Sequence, residues 1–426
     1  MLPRPQETLK TEELPRLLYV GDVPVEASFH GSVVLYRLLQ CYPSERMLIV
    51  EAGDLESIPA RRLRDHDYRR VALWSRRVSR LVYTRINKLA LCLQLFLAWC
   101  VTSPLEVVAK EFRPDAILTV AHGYSWIAAA RLARLLEIPL HLIVHDDLPN
   151  AVAVPPLFRR WLDKKFGVVY RAAASRLCVS PAMVEEYWTR YGRKGIAFYP
   201  LRAPGTPNYR ASERIARGTA SLTVGYAGSL NTGDYIRALV VLGTSLQTLK
   251  GRLVIFGPLS AADAKSLGLD LPNVILRGRV TDADFISALG READMLFVPM
   301  SFDEAERTAT RLSFPSKLAD YTAAGVPLLI RGPEYCSAVR WVRENPGIAE
   351  VVTSESETEL TAALRRLTGD PEYRASLADR AATIGQEMFG YLGLSEKFFD
   401  VLKSVHRDNC LRKSCGQSSG ARSAAR

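Results

Sequence analysis

The chain has 426 residues, which is too long for one ordinary core and enough for two domains of roughly 200 residues each. Its hydrophobic share of 48% excludes a largely disordered protein, and the longest apolar run, thirteen residues at 89–101, is shorter than the ~18–20 residues of a membrane-spanning helix. A net charge of +11 favours an acidic partner: a nucleotide, a nucleic acid or an anionic membrane surface.

The seven cysteines are scattered without a CxxC pair, at positions 41, 92, 100, 178, 336, 410 and 415. An odd, unpatterned set is typical of reduced thiols. The N-terminal residues MLPRPQETLKTEELP are polar and contain proline, so we do not interpret them as a secretory signal. We therefore expect a cytoplasmic protein.

In the first half, short β-branched runs alternate with helical patterns. Strands are predicted at 17–23, 46–51, 115–120, 140–145, 176–179 and 197–200. Helices are predicted at 31–40, 70–101 (broken), 104–112, 124–136, 155–173 and 181–191. Near-continuous hydrophobic strands separated by helices indicate a parallel sheet that is covered on both faces.

The alternation pauses in a polar, Pro/Gly-bearing stretch and then starts again. Strands are predicted at 222–227, 252–256, 273–277, 294–298, 326–330 and 349–352. Helices are predicted at 233–249, 260–266, 282–292, 314–324, 334–344, 356–367, 371–387 and 394–406. The expected organisation is a flexible N-terminus (1–15), a first Rossmann-like domain (16–203), a linker (204–220), a second Rossmann-like domain (221–390), a returning helix (391–408) and a disordered basic tail (409–426).

Two doubly wound sheets place ligands at the carboxyl ends of their strands. Neither half has GxGxxG after its first strand, and the chain has no GxxxxGK[ST], which disfavours a dinucleotide dehydrogenase and a P-loop NTPase. Tandem Rossmann-like domains with unrelated uses remain an alternative.

Polar residues follow three predicted strands of the first half. His30, Gly31 and Ser32 begin a helix, where glycine allows close approach to a ligand; a plain helix cap is the alternative interpretation. His145 and Asp146 follow a buried strand, where an imidazole could hydrogen-bond a ligand hydroxyl, stabilise developing charge or hold a second substrate. A cap for the next helix, by Asp146 or Asp147, is the alternative. His122 is a second inward candidate.

Two stretches of the second half predict an anion site. GYAGSLNTGD (225–234) is a strand, a small-residue loop and a helix start, where Gly228, Ser229 and free N–H groups can hold phosphate; an ordinary βα turn is the alternative. RLSFPSKLADYTAAGVPLLIRG (311–332) carries Lys317 and Asp320 on one helix face. Lys317 could meet a diphosphate while Asp320 takes ribose hydroxyls; a solvated lysine and a surface acid are the alternative.

These features resemble the retaining glycosyltransferases of family 4, which have the GT-B fold: two Rossmann-like, doubly wound parallel-sheet domains that face each other across a cleft. The resemblance covers about residues 15–405 and is best over 222–352. FPSKLADYTAAG (314–325) matches the subgroup pattern FPSK-x-x-[DE]-Y-x-x-x-G. Ser229 stands where the family often has a clamp arginine, and Leu312 where it often has the first of two acids, so Lys317, Arg311 or Arg277 would supply the cation.

The resemblance implies hexosyl transfer, with retention, from a UDP- or GDP-sugar to a hydroxyl of a glycan or lipid-linked glycan, as in polysaccharide biosynthesis. The residues it implies for catalysis are His145, Lys317 and Asp320. Those for donor binding are Gly31, Gly228, Ser229, Arg277, Ser313, Phe314, Pro315 and Ser316. Those for the acceptor are His30, Ser32, His122 and Asp146. A nucleotide-sugar epimerase of the same fold and a non-catalytic nucleotide-sugar-binding paralogue are the alternatives.

No metal or other cofactor is expected. Asp282-Ala-Asp284 is interpreted as a helix start and Asp65-His66-Asp67 as part of a basic helical stretch, and the six histidines form no ligand cluster. Helix N-termini and a lysine would instead offset the diphosphate charge.

Between Arg61 and Lys88 there are ten Arg or Lys against two Asp. With apolar residues every three to four positions, the predicted helix at 69–101 is basic and amphipathic, which suits an anionic membrane surface and peripheral binding there. A solvated helix packed on the sheet is the alternative. Nucleic acid is disfavoured because no recognition module accompanies the charge.

Overall fold

The computed structural model describes residues 14–27, 30–152, 154–211, 222–230, 232–280 and 282–423. Most of the predicted flexible N-terminus and much of the predicted linker, 212–220, therefore lie outside the described residues. The chain divides into two compact units. Unit 1 contains the described residues through Phe198 and those from Leu394, and unit 2 contains Tyr199–Gly393.

Unit 1 is built on a seven-stranded parallel sheet with the order β3-β2-β1-β4-β5-β6-β7. Its strands are β1 Leu17–Gly21, β2 Met47–Glu51, β3 Asp67–Arg70, β4 Ala116–Val120, β5 Leu140–Val144, β6 Ser175–Cys178 and β7 Ile196–Ala197. Every residue of β1, β2, β4 and β5 is buried, which is why these strands are continuously apolar. The chain order reverses beside β1, between β1 and β4, the position where such sheets open a crevice.

Nine helices of the described chain belong wholly or largely to unit 1. They are α1 His30–Leu39, α2 Arg76–Leu81, α3 Asn87–Cys100, α4 Ser103–Phe112, α5 Ser125–Leu135, α6 Leu148–Ala151, α7 Pro156–Ala172, α8 Pro181–Tyr191 and, after the eight helices of unit 2, α17 Tyr391–Ser423. Phe398 of α17 packs near Phe198, and Phe399 packs edge-on against Tyr42.

The predicted disordered tail from 409 differs from the structure, in which α17 continues to Ser423. The segment has no proline, and its alanine, arginine and lysine residues favour a helix.

The predicted broken helix at 70–101, and with it the proposed basic helix at 69–101, is wrong at its start. Residues Asp67–Arg70 form an edge strand paired with β2, and Asp65 adopts a left-handed turn (φ 65°), so the Asp65-His66-Asp67 stretch is not helical. The sequence DYRR did not predict this strand, because three of its four residues are exposed and none is aliphatic. The rest of the region is the helix pair α2 and α3.

Unit 2 is built on a six-stranded parallel sheet with the order β10-β9-β8-β11-β12-β13. Its strands are β8 Thr223–Ala227, β9 Arg252–Phe256, β10 Val274–Gly278, β11 Met295–Pro299, β12 Leu328–Arg331 and β13 Glu350–Val352. Its helices are α9 Gly233–Thr248, α10 Ala261–Ser266, α11 Asp282–Glu292, α12 Arg307–Leu312, α13 Lys317–Tyr321, α14 Ser337–Glu344, α15 Glu357–Gly369 and α16 Pro371–Phe389. The predicted class of two doubly wound parallel sheets is confirmed.

Among the described residues, no single helix is long and apolar enough to cross a membrane. The helices α3 and α4 satisfy the length and composition of a span only when they are taken together, and they are bent by 44° where they meet.

Candidate functional site

The first part of the site is the loop that follows β8 in unit 2. Gly228 has φ +140°, which favours glycine, and a Cβ there would lie 3.4 Å from Lys317 Nζ. The long helix α9 begins a few residues later, where Thr232 Oγ1 accepts a hydrogen bond from the amide of Tyr235 (3.3 Å). The loop thus brings a glycine backbone and the start of a sixteen-residue helix next to one lysine.

Lys317 is held between aromatic rings. Its ammonium lies 4.0 Å from the ring centroid of Tyr226 and 5.7 Å from that of Tyr235. Within the described part of the chain no carboxylate forms an ion pair with it, and burial lowers the pKa of this lysine to about 7. A poorly solvated cation that has no carboxylate partner among the described residues, beside a glycine loop and a helix start, is suited to an anion.

The helix that carries Lys317 is shorter than predicted. The sequence predicts a helix at 314–324, but α13 covers only Lys317–Tyr321, because Pro315 precedes it and Gly325 (φ +68°) follows it in the left-handed region. Five residues give little macrodipole, so the lysine and the loop before α9 matter more to an anion than this helix start does.

Tyr321 fixes α13 against the strand that leads into the loop. Its hydroxyl donates a hydrogen bond to the carbonyl of Ala227 (3.1 Å) and accepts one from the amide of the same residue (2.5 Å). The side chain is fully buried. The sequence analysis matched this tyrosine to the FPSK-x-x-[DE]-Y pattern without giving it a role. In the structure, Tyr321 fixes the position of α13 relative to the end of β8.

Asp320 is half-buried on the same helix, three residues after Lys317. Beside it lies the buried guanidinium of Arg202, which donates to the carbonyl of Ala319 (2.7 Å) and to Thr322 Oγ1 (2.9 Å). Burial lowers the pKa of Arg202 to about 10, and the Asp320 carboxylate opposes that decrease. Arg202 was missed because it stands in a segment that the sequence marks only as polar and Pro/Gly-rich.

The other predicted donor residues are placed less directly. Phe314 is buried in an aromatic cluster with Tyr199, Trp341 and Phe389, so its side chain belongs to the core. The carbonyl of Ser313 accepts a hydrogen bond from the Ser337 hydroxyl. Pro315 is half-buried, and Ser316 is exposed. Arg277 lies on the edge strand β10, two strands from β8, and its Nε is 2.9 Å from Glu292 Oε2. Of the cations that the sequence predicts, Lys317 adjoins the loop, whereas Arg277 is paired on the edge strand.

In unit 1 the ends of β4 and β5 bring together three predicted side chains. His122 is exposed after β4, and His145 and Asp146 follow β5. Burial lowers the pKa of His145, Asp146 acts to raise it, and His122 acts to lower it further. The neutral imidazole favoured by that burial can accept or donate a proton at a sugar hydroxyl.

Asp22 is a further polar residue at this edge, and sequence reasoning placed it inside a strand at 17–23. Its carboxylate accepts hydrogen bonds from the amide and the hydroxyl of Ser125, both at 2.7 Å. A Cβ on Gly53 or Gly123 would come within 2.5 Å of its carboxyl group, so the loops after β2 and β4 both close on it. Burial raises the pKa of Asp22, while the Ser125 hydrogen bonds and His122 lower it.

The remaining residues of unit 1 divide between support and surface. Asp147 is buried and accepts hydrogen bonds from Tyr187, Arg190 and Asn150, so it anchors α6 and α8. Ser32 is buried within α1 and Gly31 is half-buried; of the described atoms, a Cβ on Gly31 would meet Val23 Cγ1 alone, at 3.6 Å. His30 begins α1, and its side chain lies outside what the structure describes.

Among the described residues, no group of three or more His, Cys, Asp or Glu side chains is arranged to hold a metal ion.

No protein-family model and no curated protein matches the chain by sequence. Several solved structures are similar to it in fold. Anabaena Alr3699/HepE, solved in complex with UDP-glucose, is 14% identical with a TM-score of 0.63, over 92% of this chain and 100% of that one. Trehalose 6-phosphate synthase from Burkholderia multivorans is 16% identical with a TM-score of 0.63, over 94% and 98%. WaaG, a glycosyltransferase involved in lipopolysaccharide biosynthesis, is 16% identical with a TM-score of 0.59, over 91% and 99%. At these identities the likeness is one of fold.

Proposed function

The chain has the GT-B fold of these glycosyltransferases, and we propose that it transfers a hexose from a UDP- or GDP-sugar to an acceptor hydroxyl. The observation that carries the proposal is the Lys317 ammonium beside the glycine loop at the carboxyl end of β8, at the start of α9. That arrangement fits a diphosphate. Complexes of Anabaena HepE with UDP and with UDP-glucose lend support from a protein of the same fold.

In the proposed mechanism, unit 2 holds the donor. The loop between β8 and α9, together with Lys317, binds the two phosphates, and Asp320 accepts hydrogen bonds from the ribose hydroxyls. As the glycosidic C–O bond breaks, negative charge grows on the leaving diphosphate, and the ammonium stabilises that charge. Arg202 positions Asp320 without touching the donor.

Unit 1 supplies the acceptor residues in this proposal. His145 hydrogen-bonds a sugar hydroxyl, and His122 and Asp146 hold the acceptor at the strand ends. The acceptor oxygen attacks the face from which the diphosphate leaves, and its proton passes to a leaving phosphate oxygen, so the anomeric configuration is retained. This step follows the family resemblance, and a double displacement would need a suitable pair of carboxylates, which we do not find among the described residues.

We propose further that the reaction is independent of metal ions. A lysine and backbone donors then offset charge that a divalent cation would otherwise neutralise. Activity that persists undiminished in excess EDTA is the expected result, and activity restored only by added Mg²⁺ or Mn²⁺ would overturn this part of the proposal.

A panel of labelled UDP-, GDP- and TDP-sugars tests the function. We expect one donor to be hydrolysed or transferred, with Lys317→Met abolishing that turnover while the variant unfolds at the same temperature as the unmodified chain or at a higher one. Tight binding without turnover would identify a nucleotide-sugar-binding paralogue instead. Interconversion of the sugar on its nucleotide would identify an epimerase.

The acceptor proposed here is a glycan or lipid-linked glycan at the cytoplasmic face of a membrane, as in polysaccharide biosynthesis. Two features support it: the basic, apolar surface on α2 and α3, and the six described cysteines, which are free thiols.

A further inference from the structure

The helix α3 presents an apolar stripe to solvent. Ile86 just before it and Leu89, Leu93 and Phe96 within it recur every three to four residues and are 49%, 69%, 39% and 60% exposed. The opposite face, with Ala90, Gln94, Leu95 and Ala98, is buried. An exposed stripe of large side chains on a helix that already buries its other face marks a surface for a partner.

A second apolar group lies at the start of α7, outside the region that the sequence marked as membrane-binding. Leu157 is 77% exposed and Phe158 is 41% exposed. They are followed at once by the exposed cations Arg159 and Arg160.

Aromatic contacts join the two helices into one surface. Trp99, at the end of α3, and Trp161 of α7 pack edge to face with their ring centroids 6.1 Å apart. The ammonium of Lys165 lies 3.7 Å from the Trp99 centroid and 5.3 Å from that of Trp161. We call the exposed apolar side chains of α3 and α7, with the cations around them, the α3–α7 surface.

The α3–α7 surface is firmly attached to the unit. Asp54, in the loop after β2, accepts hydrogen bonds from Trp74 Nε1 (2.6 Å) and from the buried Gln94 Nε2 of α3 (3.1 Å), and also from the Ser79 hydroxyl. Arg131 of α5 donates to the carbonyl of Trp99 (2.6 Å) and so caps the last turn of α3. Because these contacts hold the inner face of α3, the helix lies on the unit with its outer face free to bind.

The topology places the joined end of this surface beside the candidate acceptor residues. The helix α7 follows β5 and therefore starts at the carboxyl edge of the sheet, the edge where His145 and Asp146 lie. The helix α4 leads to the amino end of β4 and therefore begins at the carboxyl edge of the sheet. The last turn of α3 directly precedes α4, so it lies at the carboxyl edge as well.

Charge selects the kind of partner. Residues 76–100 contain five Arg or Lys and no acid, and residues 156–171 contain five Arg or Lys and one acid. A second copy of so basic a surface would be repelled, whereas an anionic headgroup layer attracts the cations while the apolar side chains enter the acyl boundary.

We propose that the α3–α7 surface docks on an anionic lipid bilayer, with α7 as a second contact beside α3. The inference rests on the proposed function only for the purpose of the docking. That purpose is to bring a lipid-held acceptor hydroxyl to the carboxyl edge of unit 1. The docking itself needs no donor, acceptor or turnover.

Sedimentation of the full chain with vesicles tests the docking. Phosphatidylcholine vesicles are compared with vesicles that contain about one third phosphatidylglycerol, at low and at raised salt. We expect binding to the anionic vesicles only, weakened by salt. Arg159→Gln with Arg160→Gln lowers the partition coefficient about 25-fold, since each lost cation near the surface costs about fivefold. Leu89→Ser with Phe96→Ser lowers it by at least about tenfold.

The matched control is Leu135→Ser. Leu135 is 51% exposed, but it ends α5 and so lies toward the amino edge of the same sheet. This variant is expected to bind vesicles like the unmodified chain, and unchanged unfolding temperatures confirm that all variants are folded.

Three results would overturn the proposal: no binding to the anionic vesicles, full binding by the Arg159/Arg160 double variant, or a dimer in solution that these substitutions dissociate. The last result would mean that a second copy covers the surface. Transfer to a soluble acceptor is measured in parallel without vesicles, so that failure of docking and failure of the proposed function are distinguished.

Discussion

At the scale of single residues, the candidate site contains a lysine whose positive charge is destabilised by burial. Burial lowers the pKa of Lys317 to about 7 from 10.5. In the unfolded chain the lysine keeps its ordinary pKa, so between these pH values the unfolded state binds more protons. The contribution of Lys317 to the free energy of unfolding therefore increases as the pH rises from about 7 to 10.5.

Donor binding should respond to pH with the opposite sign. A diphosphate stabilises the ammonium, so affinity should be highest below pH 7 and fall by up to about tenfold per pH unit above it. Calorimetric titration of the nucleotide sugar between pH 6 and about pH 9 measures the slope. The Lys317→Met variant should bind the donor weakly, and its affinity should show no pH dependence from this position. The Lys317→Arg variant should bind the donor with an affinity that does not change with pH, since a guanidinium stays charged. A Met variant that keeps the slope would show that another group titrates.

Gly31 offers a substitution whose effect on the fold is small. Among the described residues, an added Cβ would meet Val23 alone, at an ordinary contact distance of 3.6 Å, and alanine is a better helix former than glycine. Gly31→Ala should therefore leave the unfolding temperature unchanged or raise it. If the donor passes close to this backbone, the same substitution raises the KM for the donor at least about tenfold.

Unchanged donor KM in Gly31→Ala would remove Gly31 from the donor site. Gly233→Ala is the comparison, since Gly233 also begins a helix, on the donor loop itself.

At the scale of elements, α13 is placed by its neighbours rather than by its own helical propensity. Tyr321 ties it to β8, and Arg202 ties its last turn to α16, where Nη1 of Arg202 donates to Gln386 Oε1 (3.0 Å). Five residues cannot form a stable helix alone, so the positions of Lys317 and Asp320 depend on these contacts.

Arg202→Met should displace α13 and leave the proposed direct contacts to the donor chemically unchanged, because Arg202 itself does not contact the donor in the proposal. Loss of its charged hydrogen bonds is expected to lower the free energy of unfolding by about 3 kcal/mol and to raise the donor KM more than it lowers kcat. Arg202→Lys should recover part of the donor affinity. Free guanidinium ion should do the same for Arg202→Gly, because it can occupy the place of the lost side-chain guanidinium. A folded Met variant with the donor KM of the unmodified chain would confine Arg202 to stability.

At the scale of the whole molecule, the sequence predicts the sheets well because buried parallel strands such as LLYVG and MLFVP are continuously apolar. It fails at the edge strand β3, which is polar, and at α13, whose length is set by flanking residues. It predicts Lys317, Asp320 and His145 as site residues because they follow strands or match a local pattern, and these three stay predictions. It misses Arg202 and Asp22 because their partners, Thr322 and Ser125, are about a hundred residues away in the chain.

The central claim is that unit 2 binds a diphosphate through Lys317 and the loop after β8. A crystal structure with the nucleotide sugar that the donor panel identifies tests it most directly. We expect a phosphate oxygen within about 3 Å of Lys317 Nζ, and others at hydrogen-bond distance from backbone amides between Gly228 and the first turn of α9. A nucleotide bound elsewhere, or an ammonium that stays on the Tyr226 ring more than about 6 Å from any phosphate, would contradict the account.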